Sequence, residues 1–193
     1  MKVVIIKYNA GNVQSLEFAL NRLGIDPTVT DDHEEIQQAD KIIFPGQGEA
    51  RSAMNYLKDK KLDRVVTQLR QPVLGICLGM QLMCSHTEEN DTACLGIMDA
   101  KVKRFEGSFK IPHMGWNNIT QLSGLLFAEI KEQDYLYFVH SYYVNICEQT
   151  MAQAKYGNNF SVALQKNNFY AIQPHPEKSA DCGIQILDNF LKI

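Results

Sequence analysis

The pentapeptide Gly75-Ile76-Cys77-Leu78-Gly79 constrains the fold of this 193-residue chain more than any other stretch. It joins an apolar run, Pro72-Val73-Leu74-Gly75-Ile76, to helical sequence starting at about Met80 and reaching Cys84. A G-x-C-x-G motif between strand and helix predicts a turn crowded enough to need glycine on both sides. Such a turn exposes its middle residue at the carboxyl end of the strand. It also sets that residue at a helix N-terminus, where free N–H groups and the dipole favour a thiolate. The Leu78 N–H is expected to point where an oxyanion forms. Burial as a structural residue is the common fate of cysteine. That reading is kept for Cys84, Cys94, Cys147 and Cys182, which lack the flanking pair of glycines.

The sequence around the turn alternates in kind. Val3 to Lys7 reads as a strand, and Val13, Leu16, Leu20 and Leu23 space an amphipathic helix that Gly24 ends. Strands are predicted at Thr28 to Thr30 and Lys41 to Phe44, and one helix over about Ala50 to Leu69. This alternation argues for an α/β fold with a mainly parallel central sheet flanked by helices. From Gly96 to Leu164 short β-type runs take over, among them Tyr135 to Val139 and Tyr142 to Val144. They are read as an antiparallel extension of the sheet in the C-terminal half. Ser179 to Leu191 is the closing helix, capped by Ser179 or Asp181. No linker or repeat divides the chain, so residues 1–193 are read as one domain.

Composition narrows the function classes. A net charge of -3 gives no basic patch for nucleic acid or an anionic membrane. The five cysteines are odd in number and form no Cys-x-x-Cys pair, so neither a disulfide framework nor a structural zinc is expected. The opening apolar run, closed by Lys7, is too short for a signal peptide or a span. A cytoplasmic protein with reduced thiols, and with no metal or cofactor, is the expectation.

A cysteine nucleophile needs a base, and the base needs a group that fixes its tautomer. Gln173-Pro174-His175-Pro176-Glu177 offers both. His175 and Glu177 are two apart, so on extended chain they face one side, and the prolines hold the chain near extended dihedrals. His33, His86, His113 and His140 are assigned structural or surface roles. Pro45-Gly46-Gln47-Gly48 follows the strand ending at Phe44. Its glycines suit a loop that turns an N–H inward, whereas a phosphate fingerprint is incomplete because Arg51 stands where the third glycine would.

These three segments, in this order, resemble the class I (triad) glutamine amidotransferases. The likeness narrows with Tyr8-Asn9-Ala10-Gly11-Asn12-Val13-Gln14-Ser15, Pro112-His113-Met114-Gly115-Trp116-Asn117 and Tyr137-Phe138-Val139-His140-Ser141-Tyr142-Tyr143. Together they are similar to the glutaminase subunit of imidazole glycerol phosphate synthase, from Lys2 to about Ile193. The resemblance implies that Cys77 attacks L-glutamine, His175 carries the proton to ammonia and Glu177 orients His175. It implies an oxyanion hole from Leu78 and the Gly46-Gln47 peptide. Gly48, Gln81, Ser141 and Tyr142 would grip the substrate. Ammonia would pass to a (β/α)8-barrel cyclase subunit in a heterodimer, with Asn12, Trp116, Tyr137 and Lys178 at or near the interface.

Two positions depart from the family pattern. Gln47 stands where Val is usual, and Pro174 where an aromatic is usual. Gln47 adds hydrogen-bonding capacity to the oxyanion loop, and Pro174 removes an N–H before the base. The Gly46-Gln47 peptide is expected to point its N–H away from Cys77 when no partner is bound. Other readings of the same chemistry are the glutaminase of another synthase (anthranilate, aminodeoxychorismate or pyridoxal phosphate) and a stand-alone γ-glutamyl hydrolase. A non-enzymatic subunit ranks below these.

Overall fold

A computed structural model describes residues 1–9 and 13–193. Its main sheet has seven strands in the order β11-β12-β13-β4-β3-β1-β2. The strands are β1 (Val3–Ile6), β2 (Thr28–Thr30), β3 (Lys41–Phe44), β4 (Val73–Ile76), β11 (Thr150–Tyr156), β12 (Asn158–Lys166) and β13 (Phe169–Ile172). The pairs β1–β2, β1–β3, β3–β4 and β4–β13 are parallel. The pairs β11–β12 and β12–β13 are antiparallel. Every residue of β1, β3, β4 and β13 is buried, as a sheet covered on both faces requires. Alternation splits them between two cores: Val4, Ile6, Ile42 and Phe44 face one, and Val3, Ile5, Ile43 and Leu74 the other.

The helices are α1 (Gln14–Arg22), α2 (His33–Gln37), α3 (Ala50–Asp59), α4 (Leu62–Gln68), α5 (Leu78–Met83) and α6 (Ala180–Lys192). The single helix expected over Ala50 to Leu69 is two. Lys61 between them takes a left-handed conformation (φ 57). The break lets Leu57 and Leu62 both be fully buried.

The antiparallel extension is smaller than the sequence predicted. Only β11 and β12 join the main sheet. The strands β5 (His86–Thr87), β6 (Thr92–Ala93), β7 (Lys101–Arg104) and β10 (Tyr142–Val144) form a separate four-stranded sheet. The run Tyr135 to Val139 belongs to β9 (Tyr135–His140), which pairs with β8 (His113–Asn118) as a two-stranded ribbon. Buried residues alternate along β9, and β7 buries one residue of four. Strands covered on one face only do not fit a sheet sandwiched between helices. Among the described residues no helix is long and apolar enough to cross a membrane.

Candidate active site

Cys77 occupies a strained bend. β4 stops at Ile76, α5 starts at Leu78, and Cys77 between them has φ 52 and ψ -107. A non-glycine residue there is costly and persists only where its surroundings enforce it. The flanking glycines do so by close approach. A Cβ on Gly79 would lie 1.9 Å from the Phe44 carbonyl oxygen, and one on Gly75 would lie 2.9 Å from the Met83 sulfur. The helix therefore sits directly on the end of β3.

Parallel pairing of β13 with β4 brings the segment after Ile172 to the same sheet end. His175 Nδ1 lies 2.8 Å from Glu177 Oε1, with side chains 2% and 7% exposed. A carboxylate accepts only, so Nδ1 carries the proton and Nε2 is the free position. Among the described residues Nε2 has no hydrogen-bond partner, and neither does Glu177 Oε2. Burial disfavours the charged imidazole, but the Cys77 sulfur and Glu177 outweigh it and raise the His175 pKa to about 10.

Pro174 leaves no gap in the pairing. The Gln173 N–H donates to the Val162 carbonyl and the His175 N–H to the Tyr137 carbonyl, so Pro174 falls between two satisfied donors. Ser179 stands at the N-cap of α6, but its side chain does not cap the helix. Its Oγ accepts from the Tyr137 N–H at 2.9 Å and donates to the His175 carbonyl at 2.6 Å. The serine ties the ribbon to the histidine loop instead. Asp181 lies in the first turn, inside the helix.

The Pro45-Gly46-Gln47-Gly48 loop faces the bend. The Leu78 N–H, expected from sequence to point where an oxyanion forms, donates to the Gly46 carbonyl at 3.4 Å. With that carbonyl turned inward, the N–H of the same trans peptide, that of Gln47, points away. The Tyr8 hydroxyl donates to the Pro45 carbonyl, and Tyr8 packs on Phe44. Gly46 has no room for a side chain, since Leu78 Cβ, Gly79 N and the Tyr8 hydroxyl lie within 3 Å of its Cβ position.

A cavity of about 430 Å³ opens over the sulfur. Gly46, Gln47, Gly48, Cys77, Leu78, Gln81, Ser141, Tyr142, His175 and Lys178 line it, which brings together all but a few of the predicted positions. Glu177 lies behind His175, off the cavity. Two further residues escaped the sequence reading. Glu89 is a half-buried wall residue whose carboxylate accepts from the Ala50 N–H at 2.8 Å, and burial raises its pKa. Gln173 is fully buried and directs Nε2 at the Cys77 sulfur, 3.6 Å away.

His113 and His140 form a buried pair, Nδ1 to Nε2, at 2.9 Å. Burial depresses both, to about 4 and about 3, so the pair is neutral. His140 reaches the cavity wall. Trp116 and Tyr137 meet edge to face across the ribbon, ring centroids 6.0 Å apart. Trp116 is 52% exposed, and Met114 beside it is also exposed. Lys178 is exposed at the cavity rim. Asn12 lies outside the described residues. Among the described residues no group of three or more His, Cys, Asp or Glu could hold a metal ion.

The family description "Glutamine amidotransferase class-I" matches residues 4–193. The chain is 53% identical to a protein of Bacteroides thetaiotaomicron named imidazole glycerol phosphate synthase subunit HisH, over 100% of both chains. It is 45% identical to the protein of that name from Pectobacterium atrosepticum, again over 100% of both. Among solved structures, a glutamine amidotransferase superposes with a TM-score of 0.76 at 19% identity, covering 98% of this chain and 97% of that one. PurLQS from Thermotoga maritima superposes at 0.72 and 16%, covering 99% and 97%. These two likenesses concern the fold.

Proposed function

As the chain belongs to the class-I glutamine amidotransferases, and among them to the HisH subunits, we propose that it hydrolyses L-glutamine and hands the ammonia to a cyclase subunit. The observation that carries the reading is the cavity in which a cysteine on a strained bend faces a buried His–Glu pair. The whole chain, residues 1–193, acts as one cytoplasmic glutaminase domain.

The chemistry follows from the atoms present. The Cys77 thiol passes its proton to His175 Nε2, and the sulfur attacks the side-chain carboxamide carbon to form a tetrahedral intermediate. His175 Nε2 delivers that proton to the departing amine, and ammonia leaves a glutamyl thioester on Cys77. His175 then takes a proton from water, which attacks the thioester, releases glutamate and restores the sulfur. Glu177 holds the Nδ1 proton in place throughout. Glutamine also carries an ammonium and a carboxylate at its α-carbon. The Glu89 carboxylate, on the cavity wall, suits the ammonium. Gly48, Gln81, Ser141 and Tyr142 complete the grip on the rest of the substrate.

The Gly46 carbonyl now stands where the oxyanion hole needs a donor. Turning the Gly46-Gln47 peptide over frees the Leu78 N–H and brings the Gln47 N–H inward, so that both can hold the oxyanion. This resting state spares glutamine until a partner is docked. The partner is a (β/α)8-barrel cyclase, and the joint products are imidazole glycerol phosphate and an aminoimidazole carboxamide ribotide; the ring-closing chemistry belongs to the partner. The exposed ribbon face with Trp116, Tyr137 and Met114 borders the cavity through Val139 and suits that docking. The test is to mix the chain with a cyclase barrel and compare product from glutamine with product from ammonia, for wild type and Cys77→Ala. The variant complex should keep the ammonia reaction and lose the glutamine reaction by several orders of magnitude. Equal glutamine-dependent rates would refute the assignment of Cys77.

A further inference from the structure

A buried glutamine touches the reacting sulfur, and its orientation is dictated by a single backbone carbonyl. The Tyr142 carbonyl can only accept hydrogen bonds. It accepts from Gln81 Nε2 at 3.2 Å and from His140 Nδ1 at 2.7 Å. The amide of Gln81 must therefore present its NH2 end there, since the reverse would set oxygen against oxygen. Its Nε2 also donates to Gln173 Oε1 at 3.0 Å. With its oxygen committed to Gln81, the Gln173 amide has only its NH2 end left for Cys77, and Nε2 lies 3.6 Å from the sulfur. The orientation of both amides is thus fixed by the chain of partners.

We propose that Gln173 is a further catalytic residue, whose side-chain N–H donates to the Cys77 sulfur and stabilises its thiolate. A thiol gains little from a donor, whereas a thiolate gains a charge-assisted hydrogen bond inside a buried site. The sulfur also has the Val139 carbonyl at 3.9 Å, which accepts from a thiol and offers a thiolate nothing. Gln173 is the neutral donor that remains when the proton moves to His175. The ionisable groups about the sulfur are His175 with Glu177 behind it, Tyr8 from the end of β1, and His140 from β9; Glu89 and Lys178 lie across the cavity. Gln173 and Gln81 carry no charge. Their contribution therefore adds to that of His175 without altering the number of protons in the site.

The inference rests on Cys77 being the nucleophile, and its test needs neither glutamine nor a partner. The full chain is alkylated with iodoacetamide across a pH series, and modification of Cys77 is followed in its own peptide by mass spectrometry, apart from the other cysteines. Gln173→Met removes both the donor and the acceptor. Gln173→Glu keeps an oxygen for Gln81 and sets another against the sulfur. Loss of one such hydrogen bond should raise the midpoint of the Cys77 profile by about one pH unit in Gln173→Met. Gln173→Glu should raise it further, because a like charge adds to the loss. Midpoints equal to wild type in both variants would overturn the proposal. Where either variant fails to fold, the wild-type Gln173 side-chain amide is followed by NMR. Its N–H resonance should titrate with the Cys77 midpoint and stop doing so in Cys77→Ala; a resonance indifferent to pH overturns the proposal equally. An assembled complex inactive with glutamine, whose Cys77 still responds to Gln173, would instead sink the proposed function alone.

Discussion

Glu177→Gln isolates what a buried charge does for the base. The His175 and Glu177 side chains are nearly enclosed, and their hydrogen bond is 2.8 Å long. An amide oxygen can still accept from Nδ1, so the geometry survives and only the charge is lost. A charge-assisted hydrogen bond is roughly twice as strong as a neutral one, a difference of about 1.4 kcal/mol. That corresponds to about one pH unit in the imidazole titration. The sign follows from His175, whose folded-state pKa is raised from 6.5 to about 10. The stability it contributes is whole below pH 6.5 and is lost as pH climbs through 10. The variant should lose part of that contribution at neutral pH and reach its plateau at a lower pH than wild type. Imidazole NMR titration of both proteins, with unfolding free energies measured across the same window, reads both effects. A His175 midpoint unmoved by the substitution would mean that Glu177 orients the ring without stabilising its charge, and the electrostatic argument would fall.

Three further outcomes follow from the structure. Gly79→Ala should destabilise the chain by about 1–3 kcal/mol in urea unfolding, because its methyl would meet the Phe44 carbonyl at 1.9 Å; unchanged stability would show that β3 yields freely. Trp116→Ala, at an exposed ring, should leave the isolated subunit within about 0.5 kcal/mol of wild type. The same change should weaken cyclase binding in calorimetry by more than about 1 kcal/mol, and an unaltered affinity would move the docking face elsewhere. Glu89→Gln should raise KM for glutamine about tenfold with little change in kcat, since it removes a charge from binding rather than from the reaction.

The parts of this architecture that could be read from sequence are those set by neighbours along the chain. The glycines around Cys77 announce their own turn. The prolines around His175 announce an extended loop, and the buried runs of β1, β3 and β4 announce a covered parallel sheet. What could not be read depends on partners far apart. Gln173 gains its role from Gln81 and Cys77, 92 and 96 positions away. Tyr135 to His140 has the alternation of any half-covered strand, and nothing in that pattern says that it pairs with β8 rather than with the main sheet. The break at Lys61 lies in a run without glycine or proline to announce it; Leu57 and Leu62, five apart, fall on different faces of one straight helix, and the left-handed residue between them lets both be buried. Ser179 reads as a cap by position, and only the nearness of Tyr137 and His175 diverts its hydroxyl.

Strand β9 has two edges of contact that answer to different masters. Its open side carries Tyr137 against Trp116, while the backbone of the same residue receives the His175 N–H and donates to Ser179. A protein leaning on the outside of the ribbon is thus one peptide unit from the base and need not reach into the pocket to be felt there. The converse holds with the same strength: whatever settles at the sulfur and tightens the histidine loop also trims the outline offered to the protein outside.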